Sequence, residues 1–174
     1  FISSLINECN NLNTVWESRT TKNGFQSKGN LFNLQTIPIV NVKNIILNTI
    51  NEYKVKYRKK PDGFISQWPD KFSLLGWYNR LLKNGYQQSH IHPGGWLSGC
   101  FYLRMPKPLK KDEGAISFGL HGYDYPIVNS NIPTYQYAPI EGDLILFPSS
   151  LFHKTLPFSS NDERHVIAFD IIPE

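Results

Sequence analysis

Tyr86-Gln87-Gln88-Ser89-His90-Ile91-His92-Pro93-Gly94-Gly95-Trp96-Leu97-Ser98-Gly99-Cys100-Phe101-Tyr102-Leu103 is the stretch on which the fold turns. Two histidines stand at i and i+2, a Pro-Gly-Gly turn follows, and an apolar, aromatic run comes next. On an extended chain, side chains at i and i+2 share a face, so His90 and His92 can aim two imidazoles at one point. Neutral imidazole is the commonest protein metal ligand and suits Fe, Zn, Cu and Ni. A lone His-x-His pair is weak evidence. It gains weight only from a third ligand and a substrate anchor downstream.

Around this stretch the pattern is one of short extended runs separated by turns. Candidate strands are Phe72 to Arg80, Trp96 to Arg104, Ala115 to Leu120, Thr134 to Ala138, Asp143 to Pro148, Lys154 to Leu156 and Arg164 to Ile172. Near-regular spacing of that kind predicts a β-sandwich or barrel, and double-sheet jelly rolls, cupins included, fit the count. Upstream, apolar residues at Val42, Ile45, Ile46, Ile50, Tyr53 and Tyr57 recur at gaps of three and four, which predicts an amphipathic helix from Val40 to Tyr57. Pro61-Asp62-Gly63 stops it. A helix followed by strands argues against a parallel α/β sheet. Phe1 to Asn10 reads as a short helix. Thr20 to Ser27 reads as turn and loop punctuated by Asn-Gly, either plain surface or a flap over a pocket. Pro106 to Asp112 reads as a basic hairpin loop. The expected architecture is mainly β: a sandwich, barrel or jelly-roll core over 64–174, flanked by an N-terminal loop and helix over 1–63, all in one domain of 174 residues.

Hydrophobic content of 40% and aromatic content of 14% exclude a disordered chain. A formal charge of +4 is mild and diffuse, and does not by itself point to nucleic acid. The basic cluster Lys54, Lys56, Arg58, Lys59 and Lys60 reads as a solvated helix end that slightly favours an acidic substrate. Cys9 and Cys100 form neither a disulfide framework nor a Cys-x-x-Cys motif, and Cys100 reads as a small buried residue. No apolar run reaches the roughly 18 residues of a membrane span. No signal peptide is evident, so the expectation is a soluble, cytoplasmic protein.

Two further blocks carry chemistry. In Glu141-Gly142-Asp143-Leu144-Ile145-Leu146-Phe147-Pro148-Ser149-Ser150-Leu151-Phe152-His153, a turn leads into an apolar strand, the strand breaks at Pro-Ser-Ser, and His153 stands at the lip. It can complete a site begun by His90 and His92, since a facial set of three ligands leaves positions open on the metal. Eleven positions later Arg164 opens the apolar strand Arg164-His165-Val166-Ile167-Ala168-Phe169-Asp170-Ile171. A guanidinium directed into a barrel needs a partner, because an unpaired buried charge is costly. A carboxylate held bidentately is its natural mate, and with no fixed acid evident, a ligand carboxylate is attractive. Ser98 and Tyr102 share a strand face and can reach the same ligand. Gln88, Trp96, Asn79 and Arg80 stand near enough in sequence to line the pocket, as do Trp77 and Tyr86. His121 reads as a loop residue, and His165 as facing away from Arg164.

These blocks together resemble the 2-oxoglutarate- and Fe(II)-dependent oxygenase superfamily. Within it they are similar to a little-characterised family, on Gly85-Tyr86-Gln87, His90-Ile91-His92-Pro93, Trp96-Leu97-Ser98-Gly99, Gly142-Asp143, Phe147-Pro148-Ser149, His153-Lys154-Thr155, Pro157-Phe158, Arg164 and Ala168-Phe169-Asp170. The resemblance spans about residues 72–173. It implies a double-stranded β-helix, the jelly-roll fold, with Fe(II) as metal and 2-oxoglutarate as cosubstrate. It further implies that His153 is the last ligand and that Arg164 binds the far carboxylate of 2-oxoglutarate. The superfamily usually has Asp or Glu where this chain has His92. Either His90 and His92 both bind iron, or one binds and the other supports it from outside; a neutral ligand leaves the iron one negative charge short. The resemblance leaves the primary substrate open among small metabolites, protein side chains and nucleobases, and allows a homodimer. Two other readings of the same residues stand beside the dioxygenase: a cupin-type metalloprotein that does not use 2-oxoglutarate, and a non-catalytic jelly-roll binding module.

Overall fold

In the computed structural model the described residues are all but 17–18, 61–62, 108–109, 124 and 128–130. The helix stop at 61–62 and part of the loop expected from Pro106 to Asp112 therefore lie outside the described residues. The elements in chain order are α1 (Ile2–Asn10), β1 (Thr14–Trp16), β2 (Thr21–Ser27), α2 (Ile37–Tyr57), α3 (Gly63–Ser66), β3 (Phe72–His90), β4 (Leu97–Arg104), β5 (Ile116–Gly119), β6 (Thr134–Tyr137), β7 (Leu144–Pro148), β8 (Phe152–Thr155) and β9 (Arg164–Pro173). Every strand pair is antiparallel, and the sheet runs β6-β5-β8-β3-β9-β4-β7 with β2, and β1 beyond it, also on β3. The fold is mainly β, a curled jelly roll carrying a small helical part.

Alternation along the central strands sorts the residues into two faces. Tyr78, Ile167, Phe169, Ile171, Leu97, Phe101 and Leu103 turn outward, where α1 and α2 cover them with Leu5, Cys9, Ile39, Val42, Ile46 and Ile50. Helix α2 forms because those apolar positions fall three and four residues apart. Pro38 sits in its first turn, and Lys54 and Lys56 complement the carbonyl end. Leu75, Trp77, Asn79, Arg164, Val166, Ala168, Asp170 and Cys100 turn inward around a cavity. Register makes the two inner rows coincide: Leu75 and Ser98 both lie opposite Asp170, and Trp77 and Cys100 both lie opposite Ala168.

Two expectations are corrected. Thr20 to Ser27, read as a loop, contains strand β2. Asn23-Gly24 makes a bulge there rather than a turn: Asn23 has φ 51°, and the register shifts between Lys22 and Gly24. Gly24 is needed because a Cβ would lie 2.9 Å from the Arg80 carbonyl oxygen. Strand β3 does not end at Arg80 but continues to His90, absorbing Asn84 (φ 61°) and Gly85 as irregularities within the strand. Pairing on both edges overrides the local turn chemistry at both places. The short strand β1 and helix α3 carry no periodicity that predicts them.

Candidate metal and cosubstrate site

The far end of β3 delivers His90, the turn after it His92, and β8 His153. His90 and His153 are direct cross-strand partners. The three ligand nitrogens lie within 4.8 Å of one another. Each ring is held by its other nitrogen. His90 Nδ1 lies 2.7 Å from the Gln88 carbonyl, His153 Nδ1 lies 3.1 Å from the Leu151 carbonyl, and His92 Nδ1 lies 2.7 Å from Asp170 Oδ1. Carbonyl and carboxylate oxygens only accept, so Nδ1–H donates in all three and the Nε2 lone pairs are left for a metal. Burial, followed by the neighbouring imidazoles, pushes His153 down to about 3. Burial also lowers His90. Both are therefore neutral near pH 7, the protonation state a metal needs.

Arg164 stands at the other end of the same cavity, which encloses about 510 Å³. It is 2% exposed, its guanidinium carbon lies 5.0 Å over the Tyr102 ring, and Nε has no hydrogen-bond partner. No carboxylate pairs with it among the described residues. Between Arg164 and the histidines the walls are Val166, Ala168, Phe147 and Ile116, with Asn79 and Gln87 as polar groups. Asn79 is 2% exposed and its Oδ1 is unpartnered. Burial raises the Cys100 thiol to about 11, so it is a protonated wall residue and not a further anionic ligand.

The other predicted site residues divide by strand parity and by where the strand starts. Arg80 follows Asn79 and so faces the opposite way, with its guanidinium 4.9 Å over the Phe25 ring; its pocket assignment is corrected. Trp96 precedes β4, where alternation has not begun. It stacks on Phe64 of α3 at 5.3 Å and 6°, away from the cavity, and its assignment is corrected too. Gln88 lines a second cavity, of about 550 Å³, with Ser89, Ser117 and Lys154, and not the cavity of the histidines. Ser98 is committed to Asp170 at 2.6 Å and to Ser149 at 2.8 Å. Tyr102 supports Arg164 from below. His165 sits on the outer face between the Tyr78 hydroxyl (2.7 Å) and Glu163 (2.9 Å), and His121 bonds the Tyr125 carbonyl at 2.7 Å. Sequence reasoning gave Asp170 no role, and Gln87 none. Asp170 lies an even number of positions from Arg164 on one strand, which was the available signal.

Residues 76–170 match a family model described as "Putative 2OG-Fe(II) oxygenase". Curated proteins give no match. Among solved structures, the chain is similar to a prolyl-4-hydroxylase from Pseudomonas putida, with 12% identity, a TM-score of 0.63, and coverage of 99% of this chain and 86% of that one. It is also similar to a 2OG-Fe(II) oxygenase family oxidoreductase from Burkholderia pseudomallei, with 13% identity, TM-score 0.60, and coverage of 98% and 78%. A third is HygX from Streptomyces hygroscopicus, solved with nickel and 2-oxoglutarate bound, with 14% identity, TM-score 0.56, and coverage of 99% and 78%.

Proposed function

This chain belongs to the family of 2OG-Fe(II) oxygenases, and from that membership we propose that His90, His92 and His153 hold the Fe(II) and that Arg164 anchors the distal carboxylate of 2-oxoglutarate. The observation that carries the assignment is the pairing, across one cavity, of three capped imidazoles with a buried guanidinium that has no acid of its own. The residues fit the group: a cation suits three free Nε2 lone pairs, and a dicarboxylate satisfies Arg164 while reaching back toward the histidines.

Bound Fe(II) supplies the oxidising chemistry, in which O₂ and 2-oxoglutarate are consumed, succinate and carbon dioxide are released, and one oxygen atom enters the substrate. The chain's own residues set the stage. The carbonyls of Gln88 and Leu151 and the Asp170 carboxylate fix ring orientation. Arg164 fixes the position and direction of the cosubstrate through two parallel N–H donors. Val166, Ala168, Ile116 and Phe147 keep water from its chain. Asn79 and Gln87 offer hydrogen bonds to its polar end. The remaining cavity, bounded by Leu75, Trp77, Ile172 and the Gly94-Gly95 turn, is where the primary substrate enters, whether a small molecule or a protein side chain. HygX, solved with nickel and 2-oxoglutarate, and again with hygromycin B, supports the reading by analogy of fold. Two unpaired cysteines fit a reducing, cytoplasmic setting.

Anaerobic addition of Fe(II) and then 2-oxoglutarate tests it. The expected result is a weak visible charge-transfer band that is lost in His153→Ala. Iron uptake with no such band would point instead to a cupin-type metalloprotein.

A further inference from the structure

The superfamily pattern places an acid where this chain has His92, so the ligand set read above is electrically neutral. We propose that Asp170 is a positioning residue that returns the missing negative charge to the metal through His92. This rests on the ligand assignment above.

Asp170 is 5% exposed. Its Oδ1 lies 2.7 Å from His92 Nδ1 and 2.6 Å from Ser98 Oγ, and His92 is its one ion-pair partner among the described residues. Ser98 has a single proton. The carboxylate can only accept it, so the Ser149 hydroxyl, 2.8 Å away, donates to Ser98 in turn. Asp170 Oδ1 thus accepts from two sides, from Ser98 backed by Ser149 and from the His92 Nδ1–H whose far nitrogen faces the metal. Gly95 closes over it: a Cβ there would meet Ser149 Oγ at 2.5 Å and Asp170 Cγ at 3.4 Å, so only a residue without a side chain lets the turn seal the carboxylate from water.

A buried carboxylate is expensive unless a positive charge compensates it. One hydroxyl and one imidazole N–H compensate it in part, and a cation on the far nitrogen of the same ring completes the compensation. The charge that an acidic ligand would place on the iron is instead held one ring away. Carboxylate–histidine–metal relays of this form orient the ring and make it a better donor, and their loss costs about 10–100-fold in metal affinity.

The test compares Asp170→Asn, Ser98→Ala and the double variant His92→Asp/Asp170→Asn with the wild-type protein, by calorimetric Co(II) and anaerobic Fe(II) binding and by the Fe(II)–2-oxoglutarate band. Asp170→Asn keeps the shape and removes the charge. It is expected to weaken metal binding about 10–100-fold and to move the band to shorter wavelength, since a less electron-rich iron gives up an electron less readily. Ser98→Ala keeps the charge but removes one hydrogen bond to it, and is expected to move the band less than Asp170→Asn does. The double variant moves the carboxylate onto the ligand position and is expected to recover the affinity. Should Asp170→Asn fail to fold, the double variant set against wild type still decides: wild-type-like binding supports the relay, and lost binding overturns it. Wild-type affinity and band position in Asp170→Asn also overturn it. A wild-type protein that takes up no metal refutes the ligand assignment, and the relay with it.

Discussion

Replacing Arg164 with methionine separates what the residue does for the fold from what it does for the ligand. Arg164 is 2% exposed, its guanidinium lies over the Tyr102 ring, and it has no carboxylate partner among the described residues. Exchanging buried ionic groups for apolar ones of similar volume is often neutral or stabilising, by about 1–4 kcal/mol. Arg164→Met should therefore leave the ligand-free protein as stable as wild type, or more so. Binding should move the opposite way. Truncating one member of a buried, hydrogen-bonded charge pair costs about 2–5 kcal/mol, and each 1.4 kcal/mol is tenfold, so 2-oxoglutarate should bind about 30-fold to several thousand-fold more weakly. Wild-type protein at a hundredfold excess over its dissociation constant should gain about 2.7 kcal/mol from the ligand. For a chain of this size that is a rise of about 5–11 °C in melting temperature. The variant should show no rise at the same concentration. Thermal melts with and without 2-oxoglutarate, in the presence of Co(II), read both effects. A variant that melts many degrees lower without ligand yet keeps the wild-type rise would refute the reasoning, because Arg164 would then be a structural cation.

Other expectations follow from the same coordinates. His153→Ala removes one of three ligands, and calorimetry with Co(II) should show binding lost or weakened by at least two orders of magnitude, with wild-type affinity counting against the ligand assignment. His153 in the metal-free fold titrates at about 3, against an ordinary value near 6.5. The unfolded chain therefore binds a proton that the folded one does not, and stability should fall as pH drops from 6.5 toward 3, by up to about 1.4 kcal/mol per pH unit from this group; a flat urea midpoint between pH 6.5 and 4.5 would contradict it. In Gly99→Ala the new methyl would lie 2.7 Å from the Ile145 carbonyl oxygen and against the Phe169 ring. A loss of about 1–3 kcal/mol by urea denaturation is expected. Asn30 donates to the Leu74 carbonyl and accepts from the backbone N–H groups of Gly76 and Phe32, so Asn30→Ala should cost about 1–3 kcal/mol in the same assay.

Most of the β architecture was legible because the runs from Phe72, Leu97, Ile116, Leu144 and Arg164 alternate or stay apolar at strand length, bounded by Gly, Pro and Asn. Strand β2 and the second half of β3 were not. Asn23-Gly24 and Asn84-Gly85 are turn signals by local chemistry, and only the neighbouring strands convert them into irregularities within strands. The histidines and Arg164 were legible from residue type and order, whereas their mutual distances come from the cross-strand register of β3 with β8. Parity separates Asn79, which lines the cavity, from Arg80, which does not. Nearness in sequence points Trp96 at the pocket, but it stands just before β4 and stacks on Phe64 instead. Asp170 was hidden because a lone acid in an apolar strand announces a partner without naming it, and that partner, His92, is 78 positions away.

Strand β9 lies between β3 and β4, two strands that precede it by many residues: Leu75 and Ser98 both pair with Asp170. Closing such long loops is slow and entropically unfavourable, so β3 and β4 must wait with one edge each unsatisfied. Outward, β9 carries Ile167, Phe169 and Ile171 into the helical core; inward, it carries Arg164 and Asp170. One late docking event therefore completes the core and the site together. A partly folded chain lacking β9 has His92 without Asp170 behind it and offers a metal little reason to stay. Metal supplied during refolding should then slow unfolding without accelerating folding.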